Sequence, residues 1–208
     1  MSISFSKPQH ILVFGLILPA LSIPLVFITN WICRQFIHPD YLIFVDTFGV
    51  IGAYGFLYSL FDNFVWKWPL LRMLGIVDGP DLSGRWRGTL ISSFDGKKEV
   101  PAVLEITQTF SAIRVDMYFE KSSSTSLLAS FVRERNGQLA LHYEYQNDPN
   151  EIADETMNVH YGSARLVYVQ DRHNLDGTYY NPDRYERGHF GTIRISFQSH
   201  VLLHRFSN

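Results

Sequence analysis

The chain has 208 residues, a single cysteine and a formal net charge of −2. One cysteine excludes an internal disulfide. The negative balance disfavours binding to long nucleic acid but is compatible with a small phosphate ligand held by a few arginines. The charges are unevenly distributed, since the first 77 residues contain only Lys7, Arg34, Asp40, Asp46, Asp62, Lys67 and Arg72. We therefore expect residues 1–76 to lie in lipid and residues 77–208 to form a soluble domain.

The first predicted element is a transmembrane helix at about residues 9–31. No Asp, Glu, Lys or Arg occurs from Pro8 to Cys33. The apolar stretch from Ile11 to Thr29 would span roughly 28 Å at 1.5 Å per residue, which is about the thickness of the hydrocarbon core. Pro19 and Pro24 should kink this helix, which membrane helices tolerate. We disfavour a cleaved signal peptide because the residues after Thr29 make a poor cleavage site.

A second transmembrane helix is predicted at about residues 41–61. The linker between the two helices is short, so they form a hairpin with both termini on one side of the membrane. Lys7, Lys67 and Arg72 lie on that side, and Arg34 lies on the other. The positive-inside rule therefore places the termini and the soluble domain in the cytoplasm.

One face of the second helix carries small residues. Gly49, Gly52, Ala53 and Ser59 share this face at 100° per residue, and Asp46 lies at its edge. Small residues let helices approach closely, and an acid within the membrane normally faces protein or water. The face either packs on the first helix or mediates self-association, and the two are compatible. Our candidate assembly residues are Asp46, Gly49 and Gly52.

After residue 77 the hydrophobic pattern changes to a period of two, which is typical of strands with one buried face. Eight strands are predicted, at residues 82–92, 99–109, 112–121, 126–135, 138–146, 159–169, 174–180 and 189–198. Eight successive strands with tight connections predict an antiparallel, up-and-down, lipocalin-like barrel that could hold one small ligand. A two-sheet sandwich is the alternative.

Glycine and tryptophan occupy several inward-facing positions of the predicted strands. The first strand carries Trp86 between two glycines, where it can plug one end of a barrel. Gly162, Gly177 and Gly191 fall on the inward parity of later strands. They indicate either a hollow interior or bends where strands need room for the backbone, and the sequence leaves both open.

No catalytic pattern is present. The chain has no G-x-S-x-G turn, Walker loop or H-E-x-x-H motif, and its histidines lack metal-ligand spacing. We expect a protein that is not an enzyme and that needs no cofactor or metal.

The combination of two short-linked apolar helices, the segment from Pro80 to Gly88 and the late segments Leu175 to Tyr180 and Arg187 to Gly191 resembles a known family. It is similar to the two-transmembrane, β-strand-rich effectors that accompany cGAS-like nucleotidyltransferases in bacterial CBASS antiphage systems. The resemblance implies a barrel that binds a cyclic oligonucleotide made by the partner enzyme. It also implies helices that assemble and breach the inner membrane, which causes abortive infection.

The residues that suit such a ligand are aromatic rings for the bases and cationic or neutral donors for the phosphates. Candidate ligand contacts are Tyr143, His160, Tyr179, Tyr180, Arg184, Arg187 and His189. The two arginines could equally pair with acidic neighbours in a solvated loop. The alternative functions are a membrane-tethered, lipocalin-like carrier of a small apolar ligand and an adaptor with a filled barrel.

Overall fold

The computed structural model describes residues 8–36, 42–93, 99–153, 158–182 and 189–206. The chain divides into two compact units. One comprises Phe5–Asp78 together with Thr109–Ser111 and is largely helical. The other comprises Gly79–Gln108 and Ala112–Asn208 and contains all the strands in the described part of the chain.

The N-terminal helix passes from α1 (Pro8–Leu12) through a π-helical turn (Val13–Ile17) into α2 (Leu18–Cys33). The π-helical turn directly precedes Pro19, whose ring nitrogen cannot donate to the carbonyl one turn earlier. The stretch Gln9–Cys33 is long and apolar enough to cross a membrane. The prediction of an apolar N-terminal helix is therefore confirmed.

The second helix, α3, covers Leu42–Asn63 and is followed by a short 3-10 turn (Val65–Lys67) and by α4 (Pro69–Met73). Its position agrees with the helix predicted at 41–61. Within the described residues, length and composition single out Gln9–Cys33 alone as a candidate membrane span. A second membrane crossing, by α3, stays a prediction.

The helical unit has a core of its own. Its buried apolar residues are Val13, Leu18, Phe61, Trp66 and Val77. The turn Thr109–Ser111 belongs to this unit: the Phe110 ring meets Phe61 edge to face at 5.0 Å between centroids. The backbone N–H of Ser111 donates to the Asp62 carboxylate at 2.8 Å. Ring packing and a charge-assisted hydrogen bond together fix this turn within the helical unit.

The candidate assembly residues differ in their surroundings. A methyl group added at Gly49 would lie 4.0 Å from the Asn30 side-chain oxygen, so Gly49 faces α2. One added at Gly52 would meet no described atom within 4 Å. Asp46 belongs to α3, but its side chain lies outside the part that the structure describes.

The second unit is a closed barrel of eight antiparallel strands in sequence order, with β8 paired to β1. The strands are β1 (Gly84–Ser92), β2 (Glu99–Gln108), β3 (Ile113–Tyr118), β4 (Ser122–Arg133), β5 (Leu139–Pro149), β6 (His160–Val169), β7 (Asn174–Asn181) and β8 (His189–Ser199). The predicted up-and-down barrel is confirmed, and the two-sheet sandwich is excluded because the sheet has no open edge.

Trp86 closes one end of the barrel, as predicted. It is 2% exposed, and its indole N–H donates to the Leu82 carbonyl oxygen at 3.0 Å. Phe197 and Tyr168 meet it edge to face, with ring centroids 5.2 and 6.1 Å away. These rings fill the barrel section around the first half of β1, so any ligand space must lie toward the other end.

The inward glycines lie where atoms of neighbouring strands approach closely, and not beside a hollow space. A Cβ at Gly177 would lie 1.8 Å from the Arg165 carbonyl oxygen, and one at Gly191 would lie 2.1 Å from that of Ile91. At Gly162 a Cβ would collide with polar side chains of neighbouring strands. Of the two interpretations that the sequence left open, the structure supports crowding at bends.

A buried ion pair anchors the C-terminal segment on the outer face of β1 and β2. Arg85 and Glu105 are each 1% exposed and lie 2.5 Å apart. The Glu105 carboxylate accepts the backbone N–H groups of Leu203 at 2.8 Å and His204 at 3.1 Å. Arg85 donates to the Arg205 carbonyl oxygen at 2.9 Å. The segment thus supplies the hydrogen bonds that a buried charge pair requires.

Candidate ligand-binding site

The end of the barrel opposite Trp86 holds an internal cavity of about 400 Å³. Strand alternation directs every second side chain inward, and the late part of β5 and the ends of β6 and β7 meet at this end. The wall combines aromatic and neutral polar side chains with apolar ones. The first group is Tyr143, Tyr145, Tyr179, Ser122, Ser124, Asn147, His160 and Asn181, and the second is Leu90, Val100, Pro101, Met117, Phe119 and Ile193.

Three tyrosines give the cavity an aromatic wall. The rings of Tyr143 and Tyr145 lie 5.8 Å apart at 46°, and both side chains are more than nine-tenths buried. Burial raises the pKa of Tyr143, Tyr145 and Tyr179 above the usual range for tyrosine. Each hydroxyl therefore stays neutral at physiological pH and can donate a hydrogen bond.

Neutral polar groups complete the wall. The Tyr145 hydroxyl donates to the Asn181 side-chain oxygen at 2.5 Å, so the Asn181 side-chain nitrogen is left as a donor. Asn147 is 4% exposed, and Ser122 and Ser124 are also buried; all three line the cavity. Their amide and hydroxyl groups can donate to and accept from a ligand or water in this space.

The structure brings three of the predicted contacts together: Tyr143, His160 and Tyr179 all line the cavity. The His160 Nδ1 lies 3.0 Å from the Asn158 carbonyl oxygen. Alternation places Tyr180 on the outer face, where it is 44% exposed and lines the outer groove described below; its role as a ligand contact stays a prediction.

The remaining predicted contacts lie in or beside the connection between β7 and β8. His189 opens β8 and pairs with Asn181 in the strand register; it is half-buried but does not line the cavity. Arg184 and Arg187 lie outside the described residues, and their role stays a prediction.

Sequence reasoning missed Tyr145, Asn147, Asn181 and the serines of β4. A signal was available, because Tyr143, Tyr145 and Asn147 follow one another on a single inward parity. Asparagine is also a common turn residue, and the predicted strands end at residues 146 and 180, one residue before Asn147 and Asn181. β5 in fact continues to Pro149.

A second concave region, of about 900 Å³, lies on the outer face of β4 to β8. Most of its lining side chains have outward parity, and it includes the exposed apolar residues Leu128 and Phe190. Arg165 lies in this region and is paired with Glu134. This groove is open to solvent, and it shares Ser92, Tyr143 and Tyr179 with the wall of the internal cavity.

Among the described residues, no group of three or more His, Cys, Asp or Glu side chains is placed to hold a metal ion. The described wall of the cavity offers ring faces, apolar surface and hydrogen-bonding groups. This combination is suited to recognition of a small planar molecule.

Residues 77–196 match the family described as Cap15, cyclic dinucleotide receptor domain. A protein of Staphylococcus schleiferi named CD-NTase-associated protein 15 is 28% identical over 142 residues, covering 68% of this chain and 70% of that protein. A protein of Escherichia albertii with the same name is 26% identical over 132 residues, covering 62% of this chain and 67% of that protein. The matched residues span the barrel almost to the end of β8, and the chain therefore belongs to the Cap15 family, with its cyclic dinucleotide receptor domain in the barrel.

Proposed function

We propose that this protein is a CBASS effector whose barrel binds a cyclic oligonucleotide, most simply a cyclic dinucleotide, made by a cGAS-like nucleotidyltransferase. The observation that carries the proposal is the coincidence of the receptor-domain match with the barrel that contains the aromatic cavity. The protein acts by binding and assembly, without catalysis and without a cofactor.

The wall chemistry favours this ligand over an apolar one. A lipocalin-like carrier would present an apolar interior, whereas Asn147, Ser122 and Ser124 place amide and hydroxyl groups in this wall, and an apolar ligand would cover them without hydrogen-bonding to them. Each unsatisfied polar group costs about 1–3 kcal/mol, so such a ligand would bind poorly here. A nucleobase offers both a flat face for the tyrosines and a polar edge for these groups.

The membrane part of the proposal is a two-span hairpin in the bacterial inner membrane, with both termini in the cytoplasm. It is supported by the apolar stretch Gln9–Cys33, by the length of α3 and by the greater number of cationic residues on the terminal side. At 1.5 Å per residue, α3 is long enough to cross a hydrocarbon core about 30 Å thick.

Ligand binding causes the helices to self-associate and disrupt the membrane. A ligand shifts an equilibrium only through its different affinities for the two states, and a change from mostly resting to mostly assembled requires about 5 kcal/mol. Because several barrels bind ligand in one assembly, each barrel needs to contribute only part of this free energy. Gly52 supports a contact between copies, because a side chain there would meet no described atom of its own chain.

The ligand is tested by calorimetric titration of the full-length protein in nanodiscs with a panel of cyclic dinucleotides. At least one should bind, and its linear counterpart should bind much more weakly. The linear form carries the same bases but is not held in the ring conformation. Failure of every cyclic dinucleotide to bind would reject the proposed function.

The assembly step is tested with Gly52→Leu. Added bulk should prevent close helix approach, so cells that express the variant keep their membrane potential when the signal is supplied, whereas wild-type cells lose it. Ile51→Leu is the matched control, because it places leucine on the adjacent lipid-exposed position without adding bulk. Depolarisation by Gly52→Leu equal to that of the control would show that this face does not mediate assembly.

A further inference from the structure

We infer that the internal cavity seats one nucleobase of the cyclic dinucleotide and that Asn147 and Asn181 recognise its polar edge, while the phosphates stay at the cavity mouth. This inference rests on the proposed function and adds the orientation of the ligand. It follows from the charge, the size and the open hydrogen-bonding groups of the cavity.

The first argument is charge. In the described part of the cavity, the charged residues Glu99, Glu120 and Lys121 are exposed at the rim. The inward polar side chains deeper in are hydroxyl and amide groups together with the His160 imidazole, which is level with Asn147 in the strand register, and the tyrosine hydroxyls stay protonated. A phosphodiester carries a full negative charge, and burying it without a cationic partner is strongly unfavourable. A nucleobase is uncharged and can enter.

The second argument is size. The cavity volume of about 400 Å³ lies near the low end of small-molecule sites, which range over roughly 300–1,000 Å³. Such a space suits one base with part of its sugar better than two bases, two sugars and two phosphates. The other half of the ligand therefore stays outside the cavity.

The third argument is hydrogen bonding. The Asn181 oxygen is occupied by the Tyr145 hydroxyl, so this amide presents its nitrogen as a donor. Asn147 offers both an acceptor and donors, and it is 4% exposed in the cavity wall. A side-chain amide matches the adjacent donor and acceptor on a base edge, as it does when it reads bases in nucleic acids.

The fourth argument is the aromatic surround. Tyr143 and Tyr145 are held within the barrel by packing, and the Tyr179 hydroxyl is hydrogen-bonded to Ser92. These rings are therefore fixed before the ligand arrives. Rigid rings can stack on any base, so the amides of Asn147 and Asn181 determine which base is preferred.

The test is Asn147→Leu in the full-length protein in nanodiscs. Leucine keeps the branched shape and the number of side-chain heavy atoms of asparagine and removes its hydrogen-bonding groups. The variant should stay folded, with a melting temperature without ligand equal to or above that of the wild type. The affinity for the cyclic dinucleotide should nevertheless fall at least tenfold. A purely structural asparagine would give the opposite result, with lower stability and affinity lost only through unfolding.

Gln146→Leu is the matched control, because Gln146 is adjacent on β5 but points outward. Its affinity should equal that of the wild type. Tyr143→Phe is a second variant, which keeps the ring and removes only the hydroxyl; it should weaken binding severalfold without loss of folding.

A competition experiment identifies which part of the ligand enters. At millimolar concentration, at least one of adenosine, guanosine, cytidine and uridine should displace the labelled cyclic dinucleotide from the wild type, and ribose 5-phosphate should not. Displacement by ribose 5-phosphate alone, or an affinity of Asn147→Leu within twofold of the wild type, would overturn the inference but leave the proposed function standing. Absence of cyclic dinucleotide binding to the wild type would reject both.

Discussion

At the scale of single residues, the barrel contains two kinds of buried polar group with opposite consequences. Arg85 and Glu105 are hydrogen-bonded to each other and to the C-terminal backbone, and they fix that segment on the barrel. Asn147 lines the cavity, where its amide can bind a ligand. Groups bonded within the chain stabilise a fold, whereas groups that line a cavity are retained where a ligand binds them.

Glu105→Gln should destabilise the barrel by about 3–5 kcal/mol, because it leaves the buried Arg85 charge without a counter-charge. Thermal or urea unfolding followed by tryptophan fluorescence measures this loss. Glu134→Gln is the control, since its partner Arg165 is partly exposed to water and the loss should be much smaller. Equal losses in the two variants would show that the buried pair has no special role.

The same pair predicts how stability depends on pH. Burial alone would raise the pKa of Glu105, but hydrogen bonds from Leu203, Arg85 and His204 outweigh burial and lower it below the usual value of 4.5. A lowered folded-state pKa adds stability that is fully present above pH 4.5 and is lost as the pH falls through the folded-state value. The stability of Glu105→Gln should therefore fall less on acidification than that of the wild type, because glutamine does not titrate.

At the scale of elements, strand closure depends on glycines that allow neighbouring backbones to approach. β6 and β7 pair at Leu166 and Gly177, where a side chain on the glycine would overlap the β6 backbone. The cavity therefore lies beyond the last large inward side chains of the strands, and the glycines do not create it.

Gly177→Ala should destabilise the barrel by about 1–3 kcal/mol, the usual range for overpacking, because the obstructing atoms belong to the β6 backbone and cannot rotate away. Denaturant unfolding gives the measurement. Thr178→Ala, the exposed neighbour on the same strand, should change stability by less than about 0.5 kcal/mol. A stability of Gly177→Ala equal to that of Thr178→Ala would mean that the strands separate readily at this point.

At the scale of the whole molecule, the helical unit and the barrel each have their own apolar core. The barrel core extends from Leu82 and Trp86 to Ile193 and Ile195, and the closed sheet leaves no edge strand to pair with other chains. A unit with these properties has the features of an independently folding domain.

Residues 78–208 should therefore fold alone as a soluble monomer with a circular dichroism spectrum dominated by β structure. Size-exclusion chromatography and circular dichroism are the measurements. Trp86→Ala in the same fragment should lose about 3–5 kcal/mol of stability through the cavity that it creates. A helical spectrum or large aggregates from the unaltered fragment would contradict the independence of the barrel.

The sequence by itself determined the number, order and approximate bounds of the eight strands and the position of the apolar N-terminal helix. It could do so because these depend on local periodicity: alternation along each strand and a long uncharged run in the helix. The inward parity of Tyr143, His160 and Tyr179 followed from the same alternation. The family resemblance was likewise visible in short local segments.

Only the tertiary structure decided which inward residues border empty space. Tyr145 and Asn147 share the parity of Tyr143, but the hydrogen bond of Tyr145 with Asn181 and the pairing of Asn147 with Ser124 depend on the register between strands. The inward glycines illustrate the same limit, because a missing side chain produces either a void or a close backbone approach. Which one occurs depends on how the neighbouring strands coil as the barrel closes, and one strand's sequence does not encode it.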